Sequence, residues 1–120
     1  MIYLASPYTS KHSEVQIQRV EDVAKAAAFL QVEGIPVYSP VAHSAMLVRH
    51  VPQDLIDDHS FWMQHCIQML DAASALWVLA MPGWDFSKGV LMEIEHAKRT
   101  NKPAMLVHDW LTHTRNYTPL

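Results

Sequence analysis

Residues 2–7 read IYLASP, and this short stretch near the beginning of the chain decides the fold. Four apolar residues followed by Ser-Pro are typical of a buried strand that stops at a turn. The loop that follows, residues 6–12, is rich in hydroxyl groups. Ser13 and Gln16 then have the spacing of a capping box, which predicts a helix that begins at about Glu14.

A second apolar segment completes a strand, helix, strand unit. One face of the predicted helix carries five apolar residues at helical spacing: Val20, Val23, Ala24, Ala27 and Leu30. Gly34 supplies the stop, residues 35–38 form the next predicted strand, and Ser39-Pro40 ends it. Connections of this kind are right-handed and join parallel strands, so the pattern predicts a parallel sheet.

The rest of the chain continues the alternation of helix and strand. Residues 39–59 form a long connection with a short helix around 42–48, and it is followed by a helix at 61–70, a strand at 75–80, a helix at 88–99 and a strand at 104–107. The tail, residues 108–120, fits either an edge element or a segment that reaches a neighbouring subunit. We therefore expect one α/β domain over residues 1–120, an open parallel sheet of four or five strands with helices on both faces.

Length and composition exclude several classes of function. The chain has 120 residues and a formal charge of -3, so a single core is expected and long nucleic acid is not an expected partner. Cys66 is the only cysteine, and there is neither a leader pattern nor a bilayer-length apolar run. These features predict a cytoplasmic protein with no membrane association. None of the eight histidines are paired at i, i+4, and we expect no metal site and no cofactor.

Ligands of such sheets bind outside the carboxyl ends of the strands. Three segments should meet there: residues 6–12, the region after Tyr38, and residues 83–89. The last of these leads into a helix with Glu93 on or beside its buried stripe of Val90, Ile94 and Ala97. Burying a carboxylate is costly unless it is hydrogen-bonded or chemically employed, although a border position with the head in water is the other interpretation. Glu95 precedes Lys98 and Arg99 at ion-pair spacing and is assigned to the surface.

Ser87 and Gly89, which precede the buried stripe of this helix, each allow two interpretations. Ser87 is either an ordinary helix N-cap or part of a phosphate site, because free backbone N–H groups and the helix dipole favour both. Gly89 either lets a ligand approach the backbone closely or is a permissive residue in the first turn.

The run Tyr3-Leu4-Ala5-Ser6-Pro7-Tyr8, together with Ser87-x-Gly89-x-x-x-Glu93-x-x-x-Ala97, resembles the nucleoside 2-deoxyribosyltransferase superfamily. The spacing from Ser87 to Glu93 is most similar to the 2'-deoxynucleoside 5'-phosphate N-hydrolase branch, and also to an allied small family of uncharacterised bacterial and phage domains. The order of elements matches over roughly the first 107 residues. The resemblance implies a flavodoxin-like, three-layer fold that assembles into homodimers or larger homo-oligomers.

The resemblance also implies roles for single residues. Glu93 matches the nucleophile that attacks C1' of the sugar, Tyr3 matches the tyrosine that positions it, and Ser87 matches the serine that binds the 5'-phosphate. Cys66 departs from the pattern, because the family commonly has an aspartate there. That role is then vacant or is filled by another carboxylate: Asp54, Asp57, Asp58 or Asp85. The expected substrate-binding residues are Ser6, Tyr8, His43, Asp85, Ser87 and Gly89.

The leading hypothesis is cleavage of the N-glycosidic bond of a nucleoside or nucleoside 5'-monophosphate, with water or a second base as acceptor. A nucleotide-binding sensor module without turnover is the alternative, motivated by Cys66. Flavin mononucleotide binding at the hydroxyls of residues 6–10 is a third hypothesis, which the absence of glycine in that loop disfavours. A chain of this length has few loops with which to enclose a ligand, so we expect a second subunit to help close the pocket.

Overall fold

The computed structural model describes all residues from 1 to 120. The strands are β1 (Ile2–Ala5), β2 (Val37–Tyr38), β3 (Ala75–Leu79), β4 (Ala104–His108) and β5 (Asn116–Pro119). The α-helices are α1 (Ser13–Val32), α2 (Pro40–Leu47), α3 (Gln53–Ile56), α4 (His59–Ala72) and α5 (Lys88–Arg99), and 3-10 turns cover Val48–His50 and Trp84–Phe86. No helix is long and apolar enough to cross a membrane.

The five strands form one sheet in the order β2-β1-β3-β4-β5. Strands β1 to β4 are parallel, with Tyr3 opposite Leu76 and Leu76 opposite Ala104 in the central ladders. This order, with helices on both faces, is that of a flavodoxin-like three-layer fold and confirms the predicted fold class. The chain leaves β1 for β2 on one side and later returns to place β3 on the other, so the topology switches between β1 and β3.

Alternate residues of the strands supply two separate cores. Leu4 and Val107 face α1, where Val23, Ala26 and Leu30 are buried against them. Tyr3 and Leu106 face the opposite side, where Leu70 of α4 and both Val90 and Ala97 of α5 complete the second core. Side chains of a strand alternate between its two faces, which is why consecutive residues Tyr3 and Leu4 lie in different cores.

Several local predictions were wrong in detail. Ser13 does not cap α1, because His12 is the N-cap residue and no side chain caps the helix. The side chain of Gln16 instead donates to the carbonyl oxygen of Ser10 at 2.7 Å. Ala24 is exposed and Ala26 takes its place in the buried stripe. The predicted and the observed positions differ by only one or two residues. Packing against the sheet determines which side chains are buried.

The tail forms an edge element, one of the two structures that the sequence left open. Strand β5 pairs antiparallel with β4, with Tyr117 opposite Val107, and its four residues are exposed. Arg115 anchors the tail to the end of α1 through an ion pair with Glu33, and His113 contacts the same carboxylate at 2.6 Å. The sheet therefore ends in a strand held by electrostatic contacts as well as by backbone hydrogen bonds.

Candidate active site

A cleft of about 770 Å³ opens at the carboxyl ends of β1 and β3, where the topology switches. One wall is formed by the β1 loop, residues 6–12, and by the beginning of α5. The other wall comes from α2, α3 and α4, which contribute mainly apolar side chains such as Val41, Trp62 and Met63. The three segments that the sequence placed at this edge therefore do meet, and they enclose a space large enough for a small ligand.

Glu93 lies at the floor of this cleft. Only 5% of the residue is exposed, and its carboxylate takes part in none of the ion pairs of the protein. Burial raises the pKa of Glu93 to about 7, and the hydroxyl of Tyr3 opposes part of this rise. The border interpretation, with the head in water, is thereby excluded. A carboxyl group in this state is about half ionised at neutral pH.

Tyr3 and Cys66 are two titratable neighbours of this carboxyl. Tyr3 is completely buried beside the cleft floor, and its hydroxyl interacts with both Glu93 and Cys66 without forming a well-aligned hydrogen bond. Burial, followed by the charge of Glu93, raises the pKa of Tyr3 above its ordinary value. Burial likewise raises the pKa of the Cys66 thiol, so Cys66 lines the cleft as a neutral group.

Two buried hydroxyl groups near the floor lack partners. Ser6 lines the cleft directly after β1, is 5% exposed and has no hydrogen-bond partner for its Oγ atom. The Tyr3 hydroxyl is the second such group. Buried polar groups in native proteins are nearly always paired with protein groups or with water, so the hydroxyl of Ser6, which lines the cleft, is available to a polar ligand or to water.

Ser87 is the N-cap residue of α5, and the beginning of this helix lines the cleft. The Oγ atom of Ser87 accepts a hydrogen bond from the backbone N–H of Val90 at 3.3 Å, and Ser87, Lys88 and Gly89 all line the cleft. The capping interpretation is therefore correct, while the cleft also exposes this helix beginning to a ligand. A Cβ atom at Gly89 would meet nothing within 4 Å, so glycine is not required there by crowding.

Most of the expected residues come together, but not all. Ser6, Tyr8, Ser87, Gly89 and Glu93 line the cleft, and Tyr3 lies buried beside its floor. His43 does not line it: this residue is on α2 rather than on a loop, is exposed, and stacks on His65 with ring centroids 5.3 Å apart. Asp85 is exposed in the 3-10 turn and also lies outside the lining.

Among the four carboxylates that were considered in place of the aspartate at Cys66, one faces the cleft. Asp57 lines it, whereas Asp54 and Asp85 do not. Asp58 instead caps α4, accepting hydrogen bonds from the backbone N–H groups of Ser60 and Phe61. Asp57 is therefore the second carboxylate of the cleft, on the wall opposite the α5 beginning.

Arg19 is a structural residue that no sequence motif indicated. Its Nη1 atom donates to the carbonyl oxygen of Thr9 at 2.8 Å, and its Nη2 atom donates to that of Pro82 at 3.2 Å. These carbonyls belong to the loops after β1 and β3. Gly83, a turn residue with a φ of 93°, lies against this side chain.

A model of a protein family described as a domain of unknown function, DUF1937, matches residues 1–109. The chain belongs to the DUF1937 family. No curated protein matches it. The matched region contains β1 to β4 and every residue that lines the cleft, whereas β5 lies beyond it.

Within this DUF1937 domain, the cleft offers no metal centre, since no three His, Cys, Asp or Glu side chains converge as ligands. The groups that line the cleft include one buried carboxyl, one exposed carboxyl, several hydroxyls, the ammonium of Lys88, the imidazole of His59, the thiol of Cys66 and an apolar wall. Such a set can bind an amphipathic ligand and present a carboxylate to an electrophilic carbon.

Proposed function

We propose that this protein cleaves the N-glycosidic bond of a nucleoside or a nucleoside 5'-monophosphate. The observation that carries the proposal is the buried carboxyl of Glu93, which forms no ion pair and lies at the floor of a cleft. A group that costs this much to bury is usually functional, and a carboxylate nucleophile is what a retaining displacement at an anomeric carbon requires. The motif resemblance to nucleoside 2-deoxyribosyltransferases supports the same assignment.

In the proposed reaction, an ionised oxygen of Glu93 attacks C1' of the sugar. The C1'–N bond breaks, its electron pair leaves with the base, and water supplies a proton to the base nitrogen. The glycosyl ester on Glu93 is then cleaved by water in a hydrolase, or by the nitrogen of a second base in a transferase. Attack of either acceptor at C1' breaks the C1'–O bond to Glu93 and releases its carboxylate, while the proton of the acceptor passes to Glu93 or to water.

The cleft divides into two ends that suit the two ends of a nucleotide. Ser87, Lys88 and the beginning of α5 supply hydroxyl, ammonium and backbone N–H groups for a phosphate. Val41, Trp62 and Met63 supply apolar surface for a base. The proposed substrate therefore lies with its sugar between these ends, over Glu93. Soluble nucleotides of this kind accord with the cytoplasmic location that we propose.

The test is release of free base from a panel of deoxyribonucleosides, ribonucleosides and their 5'-monophosphates. We expect release by the wild type, at least 10³-fold slower release by Glu93→Ala on the scale of other nucleophile removals, and unchanged release by Glu95→Ala, the exposed carboxylate on the same helix. Absence of base release from the whole panel would overturn the proposal. Equal rates for wild type and Glu93→Ala would remove Glu93 from it.

A nucleotide-binding module without turnover is the second candidate, favoured by the neutral thiol of Cys66 beside Glu93. The two candidates differ in their response to a restored carboxylate. If the protein is an enzyme, Cys66→Asp keeps or increases base release relative to the isosteric Cys66→Asn. If it is a sensor, both variants bind nucleotide and neither releases base.

We further propose that a second copy of the chain covers the mouth of the cleft. The observation is that Phe86, 87% exposed, and Tyr8, 37% exposed, both line it. Large apolar side chains at this exposure are typical of interaction surfaces. Sedimentation should show a dimer or larger oligomer, and Phe86→Ser should shift the protein towards the monomer while Leu111→Ser, an apolar residue in the tail, should not.

A further inference from the structure

The loops after β1 and β3, which carry residues that line the cleft, both contact the side chain of Arg19. From the middle of α1, its guanidinium donates to the carbonyls of Thr9 and, more weakly, Tyr8 in the β1 loop. The same group donates to the carbonyl of Pro82, which lies 63 positions after Arg19 in the chain. Pro82 belongs to the loop after β3, residues 80–87, which we call the β3 loop. Arg19 therefore bridges the segments on both sides of the topological switch.

This bridge uses backbone carbonyls alone. Arg19 forms no ion pair with any carboxylate of the protein, so its guanidinium is held by the loops and holds them in return. Arginine suits this task because its planar fork presents several N–H groups in fixed directions, whereas the single ammonium of lysine is a point donor. Gln16, one turn earlier on α1, adds a second contact to the β1 loop through the carbonyl of Ser10.

Gly83 shows how closely the β3 loop approaches Arg19. Its φ of 93° is rarely adopted by other residues, and a Cβ atom built there would lie 2.6 Å from Nη2 of Arg19. A side chain at this position would strain the turn and push the guanidinium away from Pro82. The turn and the arginine are thus fitted to each other, which is a second, independent sign that the contact is specific.

We propose that Arg19 is a positioning residue that fixes the β1 and β3 loops relative to each other and thereby the placement of the cleft residues that they carry. The β1 loop holds Ser6, Tyr8 and Thr9, the β3 loop leads into Ser87 and Gly89, and all five residues line the cleft. Strands β1 and β3 are paired only as far as Ala5 and Val78, so beyond them the loops need another connection. The link to ligand binding rests on the proposed function, while the bridge itself does not.

The first test measures loop order in the ligand-free protein by NMR. Arg19→Gln should lower the backbone order parameters of residues 8–12 and 83–87 from about 0.85 towards 0.6. Exchange of the hydrogen-bonded Trp84 and Phe86 amides should become about tenfold faster. Arg99→Gln, an exposed arginine at the end of α5, is the matched control and should change neither. Unchanged order in either loop overturns the proposal.

Two further variants test the contact. Arg19→Lys separates the planar guanidinium from its positive charge, and Gly83→Ala changes the contact from the β3 loop. Arg19→Lys keeps the charge and the helix propensity but reaches only one loop, so it should loosen the other loop as Arg19→Gln does. Order as high as in the wild type in Arg19→Lys would overturn the role of the fork. Gly83→Ala should lower the order parameters of the same two loops, because the new side chain displaces the guanidinium. The decrease should be smaller in a protein in which Arg19 has already been replaced.

The second test is the dissociation constant for a nucleoside 5'-monophosphate. Arg19→Gln should raise it about tenfold, as expected for loss of preorganisation, whereas Arg99→Gln should not. Loosened loops with an unchanged dissociation constant overturn the link to the cleft. Loosened loops in a protein whose wild type neither binds nucleotide nor releases base support the bridge and overturn the proposed function, so the two failures are distinguishable.

Discussion

The hydroxyl of Tyr3, buried within β1, faces the carboxyl of Glu93 on α5, and the two side chains shift each other's titration in opposite senses. Tyr3 lowers the pKa of Glu93, while the charge of Glu93 adds to the burial that raises the pKa of Tyr3. The protonation state of the proposed nucleophile is therefore set by its burial and by one neighbour on the central strand.

Replacement of Tyr3 by phenylalanine should raise the pKa of Glu93 further above 7. The reason is that the hydroxyl stabilises the ionised form, and phenylalanine leaves only the burial. The measurement is a ¹³C NMR titration of the Glu93 carboxyl, and under the proposed function the rising limb of base release against pH should move in the same direction. Because the hydroxyl has no well-aligned partner, the unfolding free energy should change by less than about 1 kcal/mol.

Tyr117→Phe is the control for this titration, since Tyr117 lies on the edge strand β5. It should leave the pKa of Glu93 unchanged. A pKa of Glu93 that stays the same or falls in Tyr3→Phe would show that the hydroxyl does not support the ionised carboxylate.

Glu93 should make the wild type less stable as the pH rises. Its pKa is about 7 in the fold, against an ordinary value of 4.5. The fold therefore favours the protonated carboxyl, so its contribution is fully present below about pH 4.5 and is lost as the pH rises through about 7. At about 1.4 kcal/mol per pKa unit, the loss is of the order of 3 kcal/mol.

Glu93→Gln removes this dependence and should be more stable than the wild type at pH 8. Denaturant unfolding of both proteins between pH 4 and pH 8 measures the difference in their unfolding free energies. The other titrating groups are the same in both proteins, so their contributions cancel in this difference. Glu95→Gln, two residues away and exposed, should show no such gain. A gap between wild type and Glu93→Gln that does not widen with pH would contradict the burial of an ionisable carboxyl at this site.

Ser87 has a capping role that can be separated from its proposed phosphate contact. Ser87→Ala should destabilise the protein by about 1 kcal/mol, because the N–H of Val90 loses its acceptor. Ser87→Asp retains a capping oxygen and should be as stable as the wild type. Its negative charge should repel a phosphate, so affinity for nucleoside 5'-monophosphates should fall while affinity for nucleosides is kept. Equal affinity for monophosphates in Ser87→Asp would place the phosphate elsewhere.

The tail should detach from α1 at acid pH. Hydrogen bonding to Arg115, followed by that to His113, lowers the pKa of Glu33 below its ordinary value of 4.5. The contribution of Glu33 is thus present at neutral pH and is lost as the pH falls through this lowered pKa. Hydrogen exchange of the β5 amides should accelerate there, and in Arg115→Gln it should be fast already at neutral pH. Glu21→Gln, an exposed acid on α1, should have no effect.

Much of the fold was predictable because its signals are local. The apolar runs at residues 2–5 and 75–80, bounded by Pro, Gly or polar residues, predicted β1 and β3 to within one residue. The cap at Ser87 was predicted for the same reason, since a capping side chain acts on the turn that follows it. The antiparallel pairing of β5 was not predictable, because its exposed residues carry no buried face and thus no periodic pattern.

The candidate site was predictable only in part. Glu93 was found because a carboxylate on a buried stripe conflicts with the pattern around it, and such a conflict is visible in one helix. His43 was expected near the ligand, but α2 turns it towards Tyr38 and His65 outside the cleft lining. Asp57 was only one of four candidate aspartates, and Arg19 had no signal, because its partners are loop carbonyls, one of them far away along the chain.

The sequence by itself determined the α/β class and the parallel sheet and placed Glu93 on or beside a buried stripe, since these depend on the periodicity and order of the elements. The burial of Glu93 itself was decided by the tertiary structure. Only the tertiary structure decided which of several aspartates lines the cleft, and that Arg19 joins the loops after β1 and β3. Those facts depend on the relative placement of elements that meet only when the sheet forms, and the hydrophobic burial that brings them together is not directional.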